Sequence, residues 1–263
     1  MNRSCVLIFS GLDPSGGAGI QADIEAINNL GSHALPIITT LTAQDNDKVF
    51  DIFPVSHKII SQQAEVLIKK INISAVKIGI TGSFDNVDVI INIIKKLKLL
   101  RSNIPIILDP VLSSGNNNSL SKENIPKMIF PIQNLATLIT PNLIEVEKLY
   151  GENYITRFKN DFFKKNINFL VKGGHSNEKI VRNFWYSRIK TKEWKWPRLS
   201  GNFHGSGCTL ASAVSALLAQ NFKMEDALEK AQNYVQNCLE NSYSISNGQI
   251  IPHRNSIKLR DFK

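Results

Sequence analysis

Short apolar runs alternate with amphipathic stretches through the first two thirds of the chain. The apolar runs are hydrophobic at consecutive positions, as expected for parallel strands that are buried on both faces. They predict six strands, at Cys5–Phe9, Ala34–Thr39, Ala75–Gly79, Ile104–Leu108, Ala136–Ile139 and Ile167–Val171. The stretches between them predict five helices, at Gly19–Leu30, Ser56–Ile71, Phe84–Leu99, Lys122–Ile129 and Leu143–Tyr150.

Signals at the segment ends support the predicted helices. Ser83 and Ser121 stand at N-cap positions, and Gly31 follows the first helix as a C-terminal glycine does. Later in the chain, residues 183–196 combine aromatic and β-branched residues with basic ones, which predicts an antiparallel hairpin at a sheet edge. Two further helices are predicted at Gly207–Gln220 and Met224–Ser242.

The alternation of strands and helices favours one architecture. It predicts an α/β fold in which a mostly parallel sheet is covered by helices on both sides. The 263 residues suit a single large domain, and no linker, low-complexity block or repeat interrupts them. We therefore predict one domain over residues 1–263, with ligands bound at the carboxyl ends of the strands.

Composition and charge narrow the classes of function. The chain is 43% hydrophobic and 20% charged, as globular proteins are, and no apolar run reaches the roughly 18 residues of a membrane span. The formal charge of +9 raises the alternative of a nucleic-acid partner. However, the basic residues are scattered over helix faces, and no nucleic-acid motif accompanies them. The charge therefore favours small polyanionic substrates, and we expect neither nucleic acid nor membrane as a partner.

The cysteines indicate the cellular compartment. Cys5, Cys208 and Cys238 are odd in number, lie far apart and lack the paired spacing of metal ligands. They predict a reduced, cytoplasmic protein with neither a disulfide nor a structural zinc.

Five glycine-rich or polar segments fall at the predicted strand ends. The first, 10–19, contains four glycines that allow the backbone to approach a ligand closely, although it is neither a Walker loop nor a dinucleotide fingerprint. Asp23 follows one turn into the helix, either as a surface residue that complements the helix dipole or as a pocket group. In the second segment, 39–46, Gln44 offers donors and an acceptor to a heterocycle, and a capped turn explains this segment equally well.

Two acidic segments point to a cation. Asp109 ends a buried strand and is followed by Pro110, a costly place for a charge, which indicates a metal or a polar network. Asn142 and Glu145 share one face of a predicted helix start, so both side chains would reach a hydrated Mg²⁺. They also fit an N-cap and its capping box, and the two interpretations are compatible.

The fifth strand-end segment, together with a turn later in the chain, indicates phosphate chemistry. Lys172 stands at the end of a buried strand, ahead of two glycines that leave room for a phosphate. The turn at 204–208 opens an alanine-rich helix, and its backbone amides predict an N-terminal anion site. Because a helix start lowers the pKa of a thiol, Cys208 is a candidate to accept the proton of an attacking hydroxyl or to hold that hydroxyl in line. Inert packing is the alternative for this cysteine.

In this order, the segments resemble the hydroxymethylpyrimidine/phosphomethylpyrimidine kinases of thiamine biosynthesis, which belong to the ribokinase-like superfamily. The resemblance extends from residue 9 to about residue 253, and six collinear motifs are far more specific than one glycine loop. The motifs are SGLDPSGGAGIQADIEAINNLGSHALPIITTLTAQDN, VKIGI, ILDPVLSSG, LITPNLIEVEKLYG, VKGGH and FHGSGCTLASAVSALLAQ.

This resemblance implies a three-layer α/β/α sandwich, Mg²⁺ and ATP as cofactors, and hydroxymethylpyrimidine and its monophosphate as successive acceptors. A homodimer is implied by resemblance alone. The implied pyrimidine pocket consists of Gln44, Asp23, Gly11 and Ile80. The implied phosphoryl site consists of Cys208, Lys172 and an anion hole at Gly205, Ser206 and Gly207. The residues implied for Mg²⁺ are Asp109, Asn142 and Glu145.

Some positions refine the resemblance. Many members of the superfamily carry aspartate where this chain has Cys208, and the cysteine favours the pyrimidine kinases over ribokinase and adenosine kinase. Residues 112–120 lack the lysine that many relatives carry in this loop. Ser206 replaces the usual threonine of the turn and keeps its hydroxyl.

Two alternative functions stay open. A pyridoxal or pyridoxine kinase shares the fold and the anion hole and phosphorylates a similar hydroxymethyl heteroaromatic, but Gln44 within TAQDN favours the pyrimidine. A non-catalytic ligand-binding relative is disfavoured, because Lys172, Cys208 and the acidic residues are all present.

Overall fold

One sheet of nine strands runs through the part of the chain that the structure describes. The structure is a computed structural model and describes residues 3–112, 123–174 and 178–255. Its strands are β1 Cys5–Leu12, β2 His33–Gln44, β3 Val49–Pro54, β4 Ile73–Ile78, β5 Ile106–Leu108, β6 Leu138–Ile139, β7 Asn168–Val171, β8 Ile180–Tyr186 and β9 Thr191–Pro197. Its α-helices are α1 Gly19–Asn29, α2 His57–Lys70, α3 Phe84–Leu100, α4 Ile125–Gln133, α5 Leu143–Tyr150, α6 Tyr154–Arg157, α7 Ser206–Ala219 and α8 Met224–Glu240.

The order of the strands explains where a ligand binds. The sheet runs β3-β2-β1-β4-β5-β6-β7-β8-β9. Strands β2, β1, β4, β5, β6 and β7 are parallel, whereas β3, β8 and β9 pair antiparallel at the two edges. From β1 the chain adds β2 on one side and later β4 on the other. The reversal creates a crevice at the carboxyl ends of β1 and β4, which is the usual ligand position in such sheets.

Helices cover both faces of the sheet and bury two hydrophobic clusters. Leu7 and Phe9 of β1 point into one cluster, which α2, α3, α4 and α5 close from outside. Val6 and Ile8 point the opposite way, into a second cluster closed by α1, α7 and α8. This alternation along one strand produces the layers, and it confirms the expected α/β/α sandwich with a mostly parallel sheet.

The predicted elements are largely confirmed. All six strands and the five helices between them are present, and β8 and β9 form the predicted edge hairpin. The hydroxyl of Ser83 accepts a hydrogen bond from the amide of Asn86 at the start of α3, and Gly31 after α1 has a φ of 85°. Ser121 and the loop at 113–120 lie outside the described residues.

Some element boundaries differ from the prediction. The segment from Thr40 to Gln44, predicted as a loop, continues β2, because β3 pairs with it antiparallel. Strand β3 was not predicted; it is a short edge strand whose Phe50 and Phe53 are exposed. Helix α4 extends to Gln133, beyond the predicted end at Ile129. Of the helices in the described part of the chain, none has both the length and the apolarity that crossing a bilayer requires.

Candidate active site

A cavity of about 330 Å³ opens at the carboxyl ends of the parallel strands. Its volume is in the range of small-molecule sites. Every residue predicted for the site except Asp23 lines this cavity. These lining residues are Gly11, Gln44, Ile80, Asp109, Asn142, Glu145, Lys172, Gly205, Ser206, Gly207 and Cys208. The fold therefore brings together segments that lie almost two hundred residues apart in the chain.

The first turn of α7 forms one wall of the cavity. No described side chain caps this helix, so its first amides keep their capacity to bind an anion. Gly205, the N-cap residue, has a φ of 79° and packs against the glycine-rich loop. A Cβ at this position would lie 2.1 Å from the carbonyl oxygen of Gly17 and 2.8 Å from Cα of Ala18. Only glycine permits this approach, which holds the helix start against the loop.

Lys172 follows β7 and reaches the same helix start. A Cβ added to Gly207 would lie 3.2 Å from Nζ of Lys172, so the ammonium and the first turn of α7 face the same space. Nζ also lies 3.2 Å from Oδ1 of Asp109. Burial alone would lower the pKa of Lys172, but the carboxylates of Asp109 and Glu145 outweigh it, and the pKa is raised. The side chain therefore stays a cation at neutral pH.

Asp109, Asn142 and Glu145 lie together beside Lys172. The hydroxyl of Thr140 donates to Oδ1 of Asp109 at 3.1 Å, which orients this buried carboxylate. Asn142 and Glu145 form the predicted capping box of α5: the amide of Glu145 donates to Asn142 at 2.9 Å, and the amide of Asn142 donates to Glu145 at 2.8 Å. Because both residues also line the cavity, the cap and the site use the same side chains.

Glu145 has an unusual affinity for its proton. Burial raises its pKa, the attraction of Lys172 opposes the rise, and the charge of Asp109 adds to it, with a pKa of about 7 as the result. Two carboxylates that are this close and this buried are compatible with a shared divalent cation, which would lower the pKa again. Within the described ranges no cluster of three or more His, Cys, Asp or Glu side chains is placed to hold a metal. A cation here would therefore take its remaining ligands from water and phosphate, as Mg²⁺ does.

The first prediction concerns Glu145 and pH. The folded protein keeps the Glu145 proton up to about pH 7, whereas the unfolded chain releases it near 4.5. The stability that the proton contributes is thus complete below pH 4.5 and is lost as the pH rises through 7. Glu145→Gln preserves the capping box and does not titrate. At pH 8 we expect it to exceed the wild type in unfolding free energy by about 3 kcal/mol more than at pH 4.5.

Thermal or urea unfolding across this pH range measures the difference. Glu147→Gln is the matched control, because Glu147 is exposed on the same helix. A difference between Glu145→Gln and the wild type that stays constant from pH 5 to pH 8 would contradict the assigned titration.

Cys208 also lines the cavity, but its expected pKa was wrong. Burial raises the pKa of this thiol to about 11, although the ammonium of Lys77 and the amide of Gly19 act in the opposite direction. The carboxylates of Asp23 and Asp109 add to the rise. The helix start is therefore outweighed by the surroundings, and Cys208 is a neutral thiol at pH 7 in the free protein.

Asp23 requires a correction of position. Its carboxylate is fully buried, accepts a hydrogen bond from Nζ of Lys77 at 2.8 Å and another from the hydroxyl of Ser212 at 2.7 Å. Burial alone would lower the pKa of Lys77, but Asp23 outweighs it and raises the pKa. Asp23 therefore forms a buried ion pair below α7 and does not line the cavity as predicted. Its contribution is to neutralise a lysine beneath Cys208.

Asp13 and His204 line the cavity and were missed. Nε2 of His204 lies 2.7 Å from Oδ2 of Asp13, and this pair joins the glycine-rich loop to the turn before α7. Burial alone would raise the pKa of Asp13, but hydrogen bonds from His204, Gln44 and Ser15 outweigh it and lower the pKa to about 2. The sequence does show an aspartate in the glycine-rich segment that follows a strand. Its partners His204 and Gln44 come from distant segments, so the sequence alone does not show the pair.

A second cavity, of about 410 Å³, adjoins the first. Both are lined by Asn142, Lys172, Ser206 and Gly207. The second cavity adds an aromatic and apolar wall from Trp196, Leu210, Val235 and Leu239. Two cavities that share a cationic, amide-rich boundary are suited to two ligands that exchange an anionic group between them.

Comparison with known proteins decides the family. The sequence model of the phosphomethylpyrimidine kinase family matches residues 13–253. A hydroxymethylpyrimidine/phosphomethylpyrimidine kinase from Mycobacterium bovis is 31% identical over 255 residues, which cover 92% of this chain and 90% of that protein. The chain belongs to the phosphomethylpyrimidine kinase family. A Staphylococcus aureus protein of the same name is 26% identical to the present chain over 258 residues, which again cover 92% of this chain and 90% of that protein.

Solved structures agree with the fold of the kinase. The crystal structure of a phosphomethylpyrimidine kinase from Clostridium difficile superposes with a TM-score of 0.75 at 28% identity and covers 89% of this chain and 98% of that one. Pyridoxal kinase from Staphylococcus aureus, solved with pyridoxal, reaches a TM-score of 0.84 at 22% identity and covers 98% of this chain and 96% of that one. At that identity, the second likeness supports the ribokinase-like fold alone.

Proposed function

We propose that this kinase transfers the γ-phosphate of ATP to the hydroxymethyl group of 4-amino-5-hydroxymethyl-2-methylpyrimidine, and then to the resulting monophosphate. One observation carries the proposal: two adjoining cavities share Lys172 and the uncapped start of α7 as their boundary. Phosphoryl transfer needs such a boundary, with donors and a cation around the moving group and the two oxygens in line.

The acceptor is recognised through Gln44. Asp13 is ionised because its pKa is about 2, and an ionised carboxylate only accepts hydrogen bonds. The hydrogen bond between the two side chains therefore uses the amide N–H of Gln44. The carbonyl oxygen and the second N–H remain for the ligand, and they match the amino group and the adjacent ring nitrogen of an aminopyrimidine. Gly11 and Ile80 would line the pocket next to the ring.

The phosphate is held by the chain's own cations and amides. Lys172 and the amides of residues 205–208 would bind the oxygens of the transferring group, where their charge stabilises the transition state. Magnesium would be held by Asp109 and Glu145 with Asn142 beside them, and it would neutralise charge on the nucleotide phosphates. Cys208 would lie next to the acceptor hydroxyl, and Asp23 would keep the Lys77 ammonium in place below it.

Product analysis tests the proposal directly. The protein is incubated with hydroxymethylpyrimidine, ATP and Mg²⁺, and the mono- and diphosphate are scored separately by mass spectrometry. We expect both products. Pyridoxal is run in parallel, because the folds of pyridoxal kinases are similar. Turnover of pyridoxal without turnover of the pyrimidine, or binding of either compound without ATP consumption, would contradict the proposal.

A second prediction addresses acceptor binding. Gln44→Ala is expected to weaken the pyrimidine by about 1–3 kcal/mol and to raise its KM, because one polar edge of the ring loses its partner. The value of kcat should change much less. Gln63→Ala, an exposed change on α2, is the control. An unchanged dissociation constant in calorimetry would remove Gln44 from the pocket.

Assembly and location are part of the proposal. We propose a homodimer, on the resemblance to the family, and light scattering of the purified protein tests it. We also propose a cytoplasmic location, which the three free cysteines support.

A further inference from the structure

Arg254 is a buried cation that the chemistry described so far does not use. Its side chain is almost completely buried and lies behind the cavity, of which it is not a lining residue. Nε donates to the hydroxyl of Thr209 at 2.8 Å, Nη1 donates to Glu25 at 3.1 Å, and Nη2 donates to the carbonyl of Gly17 at 2.5 Å. A buried charge is costly unless its donors are satisfied, and these acceptors satisfy Nε, Nη1 and Nη2 and fix the position of the guanidinium.

The partners of Arg254 belong to the two glycine-rich segments of the site. Gly17 lies in the loop on the acceptor side. Thr209 lies in the first turn of α7 and donates in turn to the carbonyl of Gly205 at 2.8 Å. Nη2 of Arg254 is also 3.5 Å from the carbonyl of His204. One planar guanidinium thus contacts the loop, the turn and the helix start, a task that suits its fork of fixed donors.

The fit around the guanidinium is tight. A Cβ at Gly205 would lie 2.9 Å from Nη2 of Arg254, so the group packs directly behind the turn. The backbone of Arg254 is itself held, because the hydroxyl of Tyr234 on α8 donates to its carbonyl at 2.8 Å. The match to the family model ends at residue 253, immediately before this arginine.

We propose that Arg254 is a positioning residue that holds the Gly205 turn against the Gly17 loop and so sets the distance between the anion-binding amides and the acceptor. The effect on catalysis rests on the proposed kinase function. The effect on the position of the turn does not depend on that function, and hydrogen exchange measures it separately.

Kinetics of Arg254→Ala and Arg254→Lys test the proposal once turnover of the wild type has been established. In Arg254→Ala we expect kcat per folded molecule to fall by about tenfold or more, because small misplacements of reacting groups are costly. The KM values for the pyrimidine and ATP should change less than kcat. Guanidinium at sub-denaturing concentration should restore part of the lost kcat of Arg254→Ala and should not raise the kcat of the wild type. Arg254→Lys should be intermediate, because an ammonium lacks the fork.

Matched variants separate positioning from general stability. Glu25→Gln keeps an acceptor for Nη1 and leaves the contacts to Gly17, His204 and Thr209 in place, so its kcat should stay within about twofold of the wild type. Thr209→Val removes the acceptor of Nε. Its effect should not add to that of Arg254→Lys in the double variant. This pair also serves if Arg254→Ala does not fold.

Hydrogen exchange supplies a readout that needs no substrate. We expect Arg254→Ala and Arg254→Lys to speed exchange in peptides that cover residues 13–19 and 203–209, relative to Glu25→Gln. If the wild type does not phosphorylate the pyrimidine, this measurement still tests whether Arg254 holds the Gly205 turn against the Gly17 loop. Unchanged exchange in both segments, or a normal kcat per folded molecule in Arg254→Ala, or additive effects of Thr209→Val and Arg254→Lys, would overturn the proposal.

Discussion

Replacing Lys172 with methionine is expected to lower kcat by a factor of about 10²–10³, with a much smaller change in the KM for the pyrimidine. The ammonium lies at the boundary of the two cavities, next to the helix start at Gly207. In the proposed reaction its charge would therefore matter most when the phosphoryl group is between donor and acceptor. Steady-state kinetics with hydroxymethylpyrimidine and ATP measure both parameters.

The same variant should show a second effect, because Lys172 compensates two buried carboxylates. Without the ammonium, the pKa of Glu145 loses its main lowering influence and should rise further above 7. Lys98→Met is the control, since that lysine lies on α3 and bonds to the carbonyl of Leu135, outside the cavity lining. A variant that loses pyrimidine affinity and keeps its kcat would show that Lys172 binds the acceptor and does not stabilise the transfer.

Cys208→Ala is expected to reduce kcat by about 10²–10⁴-fold while the fold is retained, if the thiol handles the proton of the attacking hydroxyl. The side chain lines the cavity from the first turn of α7, close to the Lys77 ammonium. Cys238→Ala is a matched control, because Cys238 is a buried cysteine on α8 that does not line the cavity. Turnover in Cys208→Ala equal to that of the control would make Cys208 a packing residue.

The pH dependence of kcat distinguishes two roles for this thiol. Its pKa of about 11 means that the thiolate fraction increases with pH throughout the accessible range. If the thiolate accepts the proton, kcat should rise about tenfold per pH unit between about pH 8 and pH 10. If the neutral thiol only holds the hydroxyl in line, kcat should be flat in that range. Glu145 does not disturb the measurement, because its titration near pH 7 is largely complete by then.

The alternation of apolar runs with amphipathic stretches was sufficient for the sandwich because the central strands are mostly apolar on both faces. Residues 6–9 of β1, for example, are completely buried, as a strand covered by helices on both faces requires. Strand β3 was not predicted because it is an edge strand. Its Phe50 and Phe53 are exposed, so it lacks the run of buried apolar residues that marks the central strands. The extension of β2 to Gln44 was lost with it, since only pairing with β3 makes that polar segment a strand.

The sequence was sufficient to place those candidate site residues whose location depends only on the order of strands and helices. Lys172, Asp109 and Asn142 end or follow parallel strands, so the topology alone brings them to one edge. Asp23 and Cys208 could not be resolved in this way, because their environments depend on Lys77, which the VKIGI motif carries on β4. Local sequence shows a carboxylate or a thiol near a helix start. It does not show that a buried ammonium from another strand will lie beside it.

The layout of the sheet also bears on how the protein is made. From β4 to β9 the strands are laid down side by side in the order of synthesis, so an emerging chain can extend the sheet one strand at a time. The proposed anion-binding turn is synthesised later than the sheet. Helix α7 is added only after the last strand, and the guanidinium behind its first turn arrives later still. A nascent polypeptide would therefore have all strands of the sheet before the anion-binding turn exists, and its second hydrophobic cluster closes only when α7 and α8 have been added.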